Sequence, residues 1–93
     1  MKRQVILGKP IPNDRLLNLL KTPGGRIAVA RHALGLSQWD LAEKVHRSQA
    51  LISLWERGRV TPDAEDLRLL AKALRCTQSY ITTDPVVLDE TAA

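Results

Sequence analysis

Between Ser48 and Gly58 the chain carries side chains suited to reading a hydrogen-bonding edge rather than to breaking bonds. On a helix turning about 100° per residue, Ser48, Ile52 and Trp55 share one face, and Ala50, Ser53, Leu54 and Arg57 share the opposite one. Gln49 falls in the first, exposed turn. Leu51 lies on the boundary and reads as core edge. The free face is made of small or amide side chains instead of the Lys and Glu of an ordinary solvated helix. Small side chains allow close approach to base edges in a duplex groove, and an amide can form two hydrogen bonds with an adenine edge.

The residues for other chemistries are missing. There is no Ser/His/Asp arrangement and no pair of carboxylates in an apolar setting, and Gly24-Gly25 is an isolated pair rather than a phosphate-cradling loop. His32 and His46 lack metal-ligand spacing, and a single Cys76 allows neither an internal disulfide nor a zinc cluster. No enzymatic activity, metal or cofactor is expected. No apolar run approaches the roughly 18 residues of a membrane span, and the N-terminus lacks the apolar core of a signal peptide. A cytoplasmic location with no membrane partner is therefore expected.

Charge leaves two readings open, a face for a polyanion or uneven surface charge with no partner. The 93 residues carry a net charge of +4. Residues 1–59 hold eleven Lys/Arg against four Asp/Glu, net +7, and residues 60–93 hold three against six, net −3. A basic portion with an acidic remainder fits a nucleic-acid face backed by a solvated one.

The elements that must position these residues are short helices. Hydrophobic residues make up 44% of the chain but aromatics only 3%, with no Phe, so the core must be Leu, Ile, Val and Ala packed helix on helix. Residues 1–12 read as an N-terminal arm with a short apolar run, Val5 to Leu7. Asn13 caps a leucine-rich helix over 14–21. Thr22-Pro23 opens a helix that Gly35 stops, with Ile27, Ala30 and Leu34 inward. Ser37 caps 38–45, with Leu41, Ala42 and Val45 inward, and Asp40 stands at the capping-box position. Ser48 caps 49–57, with Ile52 and Trp55 inward. Asp63 caps 64–74, with Leu67, Leu70, Ala71 and Leu74 inward, and Thr77 opens a last turn carrying Tyr80 and Ile81. Residues 84–93 read as a tail. The expected fold is all-α, a compact bundle of five to six short helices in one domain over 13–83. Helices 38–45 and 49–57, joined by a break of about three residues, form a helix-turn-helix.

The series Gly35-Leu36-Ser37-Gln38, Leu41-Ala42, Ile52-Ser53 with Glu56 and Gly58, then Pro62 and Ala71-Lys72-Ala73-Leu74, resembles the lambda-repressor-like, Cro/Xre-type helix-turn-helix domain over residues 25–82. The resemblance implies that helix 49–57 enters the major groove of double-stranded DNA while helix 38–45 lies across the backbone. Base contacts are then expected from Gln49, on adenine, and from Ala50 and Leu54, on thymine methyls. Leu54 also has the plainer reading of a stray surface leucine. Ser53 would bond a base or a phosphate, with an intrahelical bond as its alternative. Gln38 sits where family members contact a phosphate and buttress the base-reading amide. Ser37 and Ser48, at the two helix N-termini, and Lys44, Arg47, Arg57 and Arg59 complete the expected phosphate set. Arg31 and Glu56 occupy positions that pair structurally in the family. His46 and Arg75 stand where the family often has Gly, and Trp39 where it has a small or charged residue, with burial inside the protomer as the leading expectation for Trp39.

The function so implied is that of a sequence-specific transcriptional regulator, a repressor acting as a homodimer on an inverted-repeat operator. Its dimer surface would come from 13–21, Val5–Leu7 or Val86–Leu88. The alternatives are an antitoxin, which would bind a toxin as well as DNA, and a phage or controller-type switch protein.

Overall fold

Helix starts in this chain are marked by a hydroxyl or carboxylate that satisfies a free backbone N–H, and the computed structural model, which describes residues 13–83, uses nearly all of them. Six helices result: α1 (Asn13–Leu19), α2 (Pro23–Ala33), α3 (Gln38–Val45), α4 (Gln49–Glu56), α5 (Ala64–Leu74) and α6 (Gln78–Thr82). Thr22 Oγ1 accepts from the Gly25 N–H, Ser48 Oγ from Leu51 and Thr77 Oγ1 from Tyr80. Ser37 with Asp40 and Asp63 with Asp66 form reciprocal capping boxes at α3 and α5. The Ser37 backbone N–H holds the Asp40 carboxyl below its ordinary value, and the Asp66 N–H does the same for Asp63.

The fold is the expected all-α bundle, with α3 and α4 as its helix-turn-helix pair. Its core is Ile27, Leu41, Ala42, Val45, Ile52, Trp55, Leu70, Leu74 and Ile81. Leu34, Leu51, Leu67 and Tyr80 close over it, half-buried. The expected arm at 1–12, with Val5–Leu7, and the tail at 84–93, with Val86–Leu88, lie outside the described residues.

α4 packs on α3 and α2, and α5 on α3, α2 and α6. Gly24, in the first turn of α2, lets that turn meet the C-terminal end of α4. A Cβ there would run into the Trp55 carbonyl oxygen and lie 2.7 Å from that of Glu56. Gly25 makes the same allowance for α1, since its Cβ would overlap the Leu19 backbone. The pair that looked isolated in sequence is where three elements touch.

Trp39 corrects an expectation. It is 71% exposed rather than buried. Leu41 and Val45 face inward from α3, and Trp39, two residues before Leu41, lies about 160° round the helix from the first and about 120° from the second.

The turns after α3 and α5 end on non-glycine residues in the left-handed region, His46 at φ 58° and Arg75 at φ 57°. A Cβ in that conformation costs roughly 1–2 kcal/mol. His46→Gly is expected to stabilise the domain by about 0.5–1 kcal/mol once the added freedom of the unfolded glycine chain is subtracted. Thermal unfolding would register this as a higher midpoint, and a lowered one would mean the imidazole contributes contacts that outweigh the strain.

Candidate nucleic-acid interface

Ser48 breaks the chain out of the turn and caps α4, which fixes Gln49 as the first residue of that helix. α3 lies against α4, so the first residue of each helix approaches the other. Gln49 Nε2 donates to Gln38 Oε1 at 2.7 Å, and Gln38 Nε2 donates to Glu56 Oε1 at 3.0 Å. Glu56 in turn receives Arg31 in a two-pronged pair, Nε to Oε2 at 2.7 Å and NH2 to Oε1 at 3.0 Å. The third nitrogen, NH1, donates to the Leu36 carbonyl at 2.9 Å. Four residues singled out by sequence thus form one continuous chain, running from an ion pair to half-buried Gln49 at the start of α4. The side chains of Arg31 and Glu56 are only 15% and 7% exposed. At that burial the two charges depend on each other and on their hydrogen bonds.

The rest of the α4 free face is open to different degrees. Ala50 and Arg57 are exposed, while Ser53 and Leu54 are half-buried along the flank. Arg57 Nε also reaches the Ser53 carbonyl at 3.4 Å, a weak bond that leaves most of the guanidinium for other partners. Lys44 and Arg59 are exposed. Ser37 and Ser48 are exposed too, each with its Oγ accepting a capping N–H; the Ser48 hydroxyl keeps a proton to donate, while the Ser37 side chain also bonds the Asp40 carboxyl. An open cleft of about 570 Å³ lies between the starts of α3 and α4, lined by Trp39, Asp40, Glu43, Ser48, Gln49 and Ala50 among others.

Arg47 stands apart from the other basic residues. Its Nε and NH2 both lie 3.0 Å from Asp66 Oδ1, and NH1 reaches the carbonyls of His46, at 3.1 Å, and Val45, at 3.4 Å. The same Asp66 carboxylate accepts the Asp63 N–H with its other oxygen. Arg47 therefore ties the turn after α3 to the start of α5. Sequence reading missed this, because nothing in helical periodicity links residues 19 positions apart.

Arg26 was missed as well. Its side chain is buried in the α2 core face at 2% exposure, where Nε donates to the Ile81 carbonyl at 2.9 Å and NH1 to that of Leu20. The Tyr80 hydroxyl returns a bond to the Arg26 carbonyl at 3.2 Å. Burial holds the Tyr80 phenol above its ordinary pKa. Arg26 thereby joins the ends of α1 and α6 to α2. Its only sequence signal is a charged residue immediately before Ile27 on an inward stripe.

Comparison with known proteins gives this geometry its family. A family model described as a helix-turn-helix domain matches residues 22–81. Over 58 residues the chain is 40% identical to repressor protein C2 of Salmonella phage P22, a match covering 62% of this chain and 27% of that protein. The chain thus spans about a quarter of the length of this curated relative. A crystal structure of the P22 c2 repressor protein in complex with synthetic operator 9T, in the presence of Tl+, is 36% identical at a TM-score of 0.66, covering 68% of this chain and 96% of that one. The solution structure of the DNA-binding domain of the P22 c2 repressor is 37% identical at 0.64, covering 67% and 82%. A hypothetical transcription factor from Neisseria shares only 18% identity but superposes at 0.66 over 96% of this chain and 99% of its own, which shows the common fold. Helix-turn-helix domains are not an enzyme class. With α2 to α5 wholly inside the matched span and α6 inside it but for its last residue, the chain belongs to the helix-turn-helix domain family.

Proposed function

We propose that this protein is a sequence-specific, double-stranded DNA-binding transcriptional repressor that works in the cytoplasm. In this reading α4 enters the major groove by its N-terminal turn and α3 crosses the backbone. The observation that carries it is Gln49, half-buried and braced by Gln38 at the start of α4, beside exposed Ala50. The P22 c2 repressor, similar over two thirds of this chain, has been solved on a synthetic operator, which supports the same partner here.

Gln49 reads a base edge, with Ala50, Leu54 and Ser53 lying along the groove. Phosphates are held by Arg59, Arg57 and Lys44, by the Ser37 and Ser48 hydroxyls, and by the second N–H of Gln38. Arg47, whose guanidinium is committed to Asp66 and two carbonyls, takes a structural role instead. Trp39 projects beside the same cleft and would lie against the sugar-phosphate backbone.

One recognition helix reads only a few base pairs, too few to single out a site among many competitors. A homodimer on an inverted repeat supplies the remainder. Leu17 on α1, 62% exposed, is the apolar residue of the 13–21 segment best placed to meet a second copy.

Selection of bound fragments from random duplex DNA would return the site and its symmetry. On that site Gln49→Ala is expected to cost roughly 1–3 kcal/mol and to relax preference at one base position. An equal loss on shuffled DNA would remove Gln49 from base reading. Arg59→Ala should instead weaken all sequences together and lower the slope of log affinity against log salt by about one unit. An unchanged slope would take Arg59 off the phosphate list.

A further inference from the structure

We propose that the Arg31–Glu56 ion pair fixes the hydrogen-bonding polarity of the base-reading amide, so that Gln49 accepts adenine and rejects guanine. The proposal rests on Gln49 being a base contact and specifies what that contact can recognise.

An amide can be turned over to exchange its oxygen and nitrogen, so a lone glutamine imposes no direction on its partners. The chain running back from Gln49 removes that freedom. Glu56, paired with Arg31, is a carboxylate and can only accept. Its side chain is 7% exposed, so solvent does not compete for its oxygens. Gln38 must therefore turn its Nε2 towards Glu56, which leaves Oε1 facing Gln49. Gln49 must then donate with Nε2, which leaves its own Oε1 and one N–H for a base edge. The direction follows from the chemistry of a carboxylate.

One acceptor beside one donor is the complement of the adenine edge, which offers the N6 amino group and the N7 acceptor. Guanine presents two acceptors, O6 and N7, so Oε1 of Gln49 would face O6 with no proton between them. If the chain ran the other way, Gln49 would offer its NH2 group to the edge and guanine would fit. Glu56 and Gln38 are thus positioning residues that act on specificity without reaching a base.

The test uses the full chain on the site returned by selection, with the base pair read by Gln49 changed to each of the four possibilities, to 7-deazaadenine, and to a purine lacking the 6-amino group. Wild type should prefer adenine over guanine by roughly tenfold or more, and each analogue should lose roughly fivefold or more. In Gln38→Met the ion pair is kept but Gln49 is released, and the adenine-to-guanine ratio should fall to within about threefold. Glu56→Gln, whose amide can donate as well as accept, should shift the ratio in the same direction if it folds. A Gln38→Met variant that weakens all four bases alike, with the wild-type ratio intact, overturns the polarity proposal and leaves base reading in place. Absence of any preference at that position in wild type overturns both.

Discussion

Arg31→Met should be the most damaging single change to the stability of this domain. The methionine keeps much of the aliphatic bulk but leaves Glu56 with a carboxylate 7% exposed and one amide donor, from Gln38. Removing one partner of a buried pair costs roughly 3–5 kcal/mol, chiefly because the remaining charge stays uncompensated. The Leu36 carbonyl would also lose the NH1 donor that holds the loop between α2 and α3. A small domain holds only about 5–15 kcal/mol in total, so the variant should be partly unfolded at ordinary temperature or melt far below wild type. Chemical denaturation followed by circular dichroism would measure it. A double variant, Arg31→Met with Glu56→Leu, should recover much of the loss, because an apolar pair of similar volume is often no worse than the ions it replaces. A single variant within about 1 kcal/mol of wild type would mean that the pair is solvated in solution.

Gly25→Ala comes second, and its sign is opposite to what helix propensity predicts. Gly25 is in the first turn of α2, and alanine there should help by up to about 1 kcal/mol if only the local helix mattered. The added Cβ would overlap the Leu19 carbonyl and lie 2.8 Å from the Leu19 Cα. These are backbone atoms and cannot rotate aside, so α1 must move as a body. The expected net loss is about 3 kcal/mol, at the upper end of overpacking costs. Gly24→Ala should act similarly on the end of α4, and should weaken DNA binding by more than its loss of stability explains. Gly25→Ala as stable as wild type would show that α1 leaves α2 at no cost.

The placement of the helices was legible because their ends are marked by side chains that act locally. Thr22, Ser37, Ser48, Asp63 and Thr77 each stand where a free N–H needs an acceptor, and each caps the helix that follows. The inward stripes were equally plain, since Leu41, Val45, Ile52 and Trp55 obey one period. Failures came wherever a side chain answered to something distant. Trp39 is apolar and was expected inside, but its angular position on α3 outweighs its hydrophobicity. The place of Arg47 in the turn was plain, but its pairing with Asp66, from another helix, was not. Arg26 is charged and buried because two helix-end carbonyls receive it, and carbonyls leave no trace in the identity of a residue. The link from Arg31 to Glu56 was available from resemblance. Its continuation through Gln38 to Gln49 as one directed chain needed coordinates.

The close approach of Gly24 to the last carbonyls of α4 has a thermodynamic consequence. That helix is seated at its C-terminal end by backbone and tethered at its first residue by an amide, so both ends are ordered before any ligand arrives. For α4, association then resembles the meeting of two finished surfaces, with no part of that helix condensing as it binds. The heat-capacity change contributed by this helix should follow the apolar area that the contact dries, without the surplus that marks coupled folding.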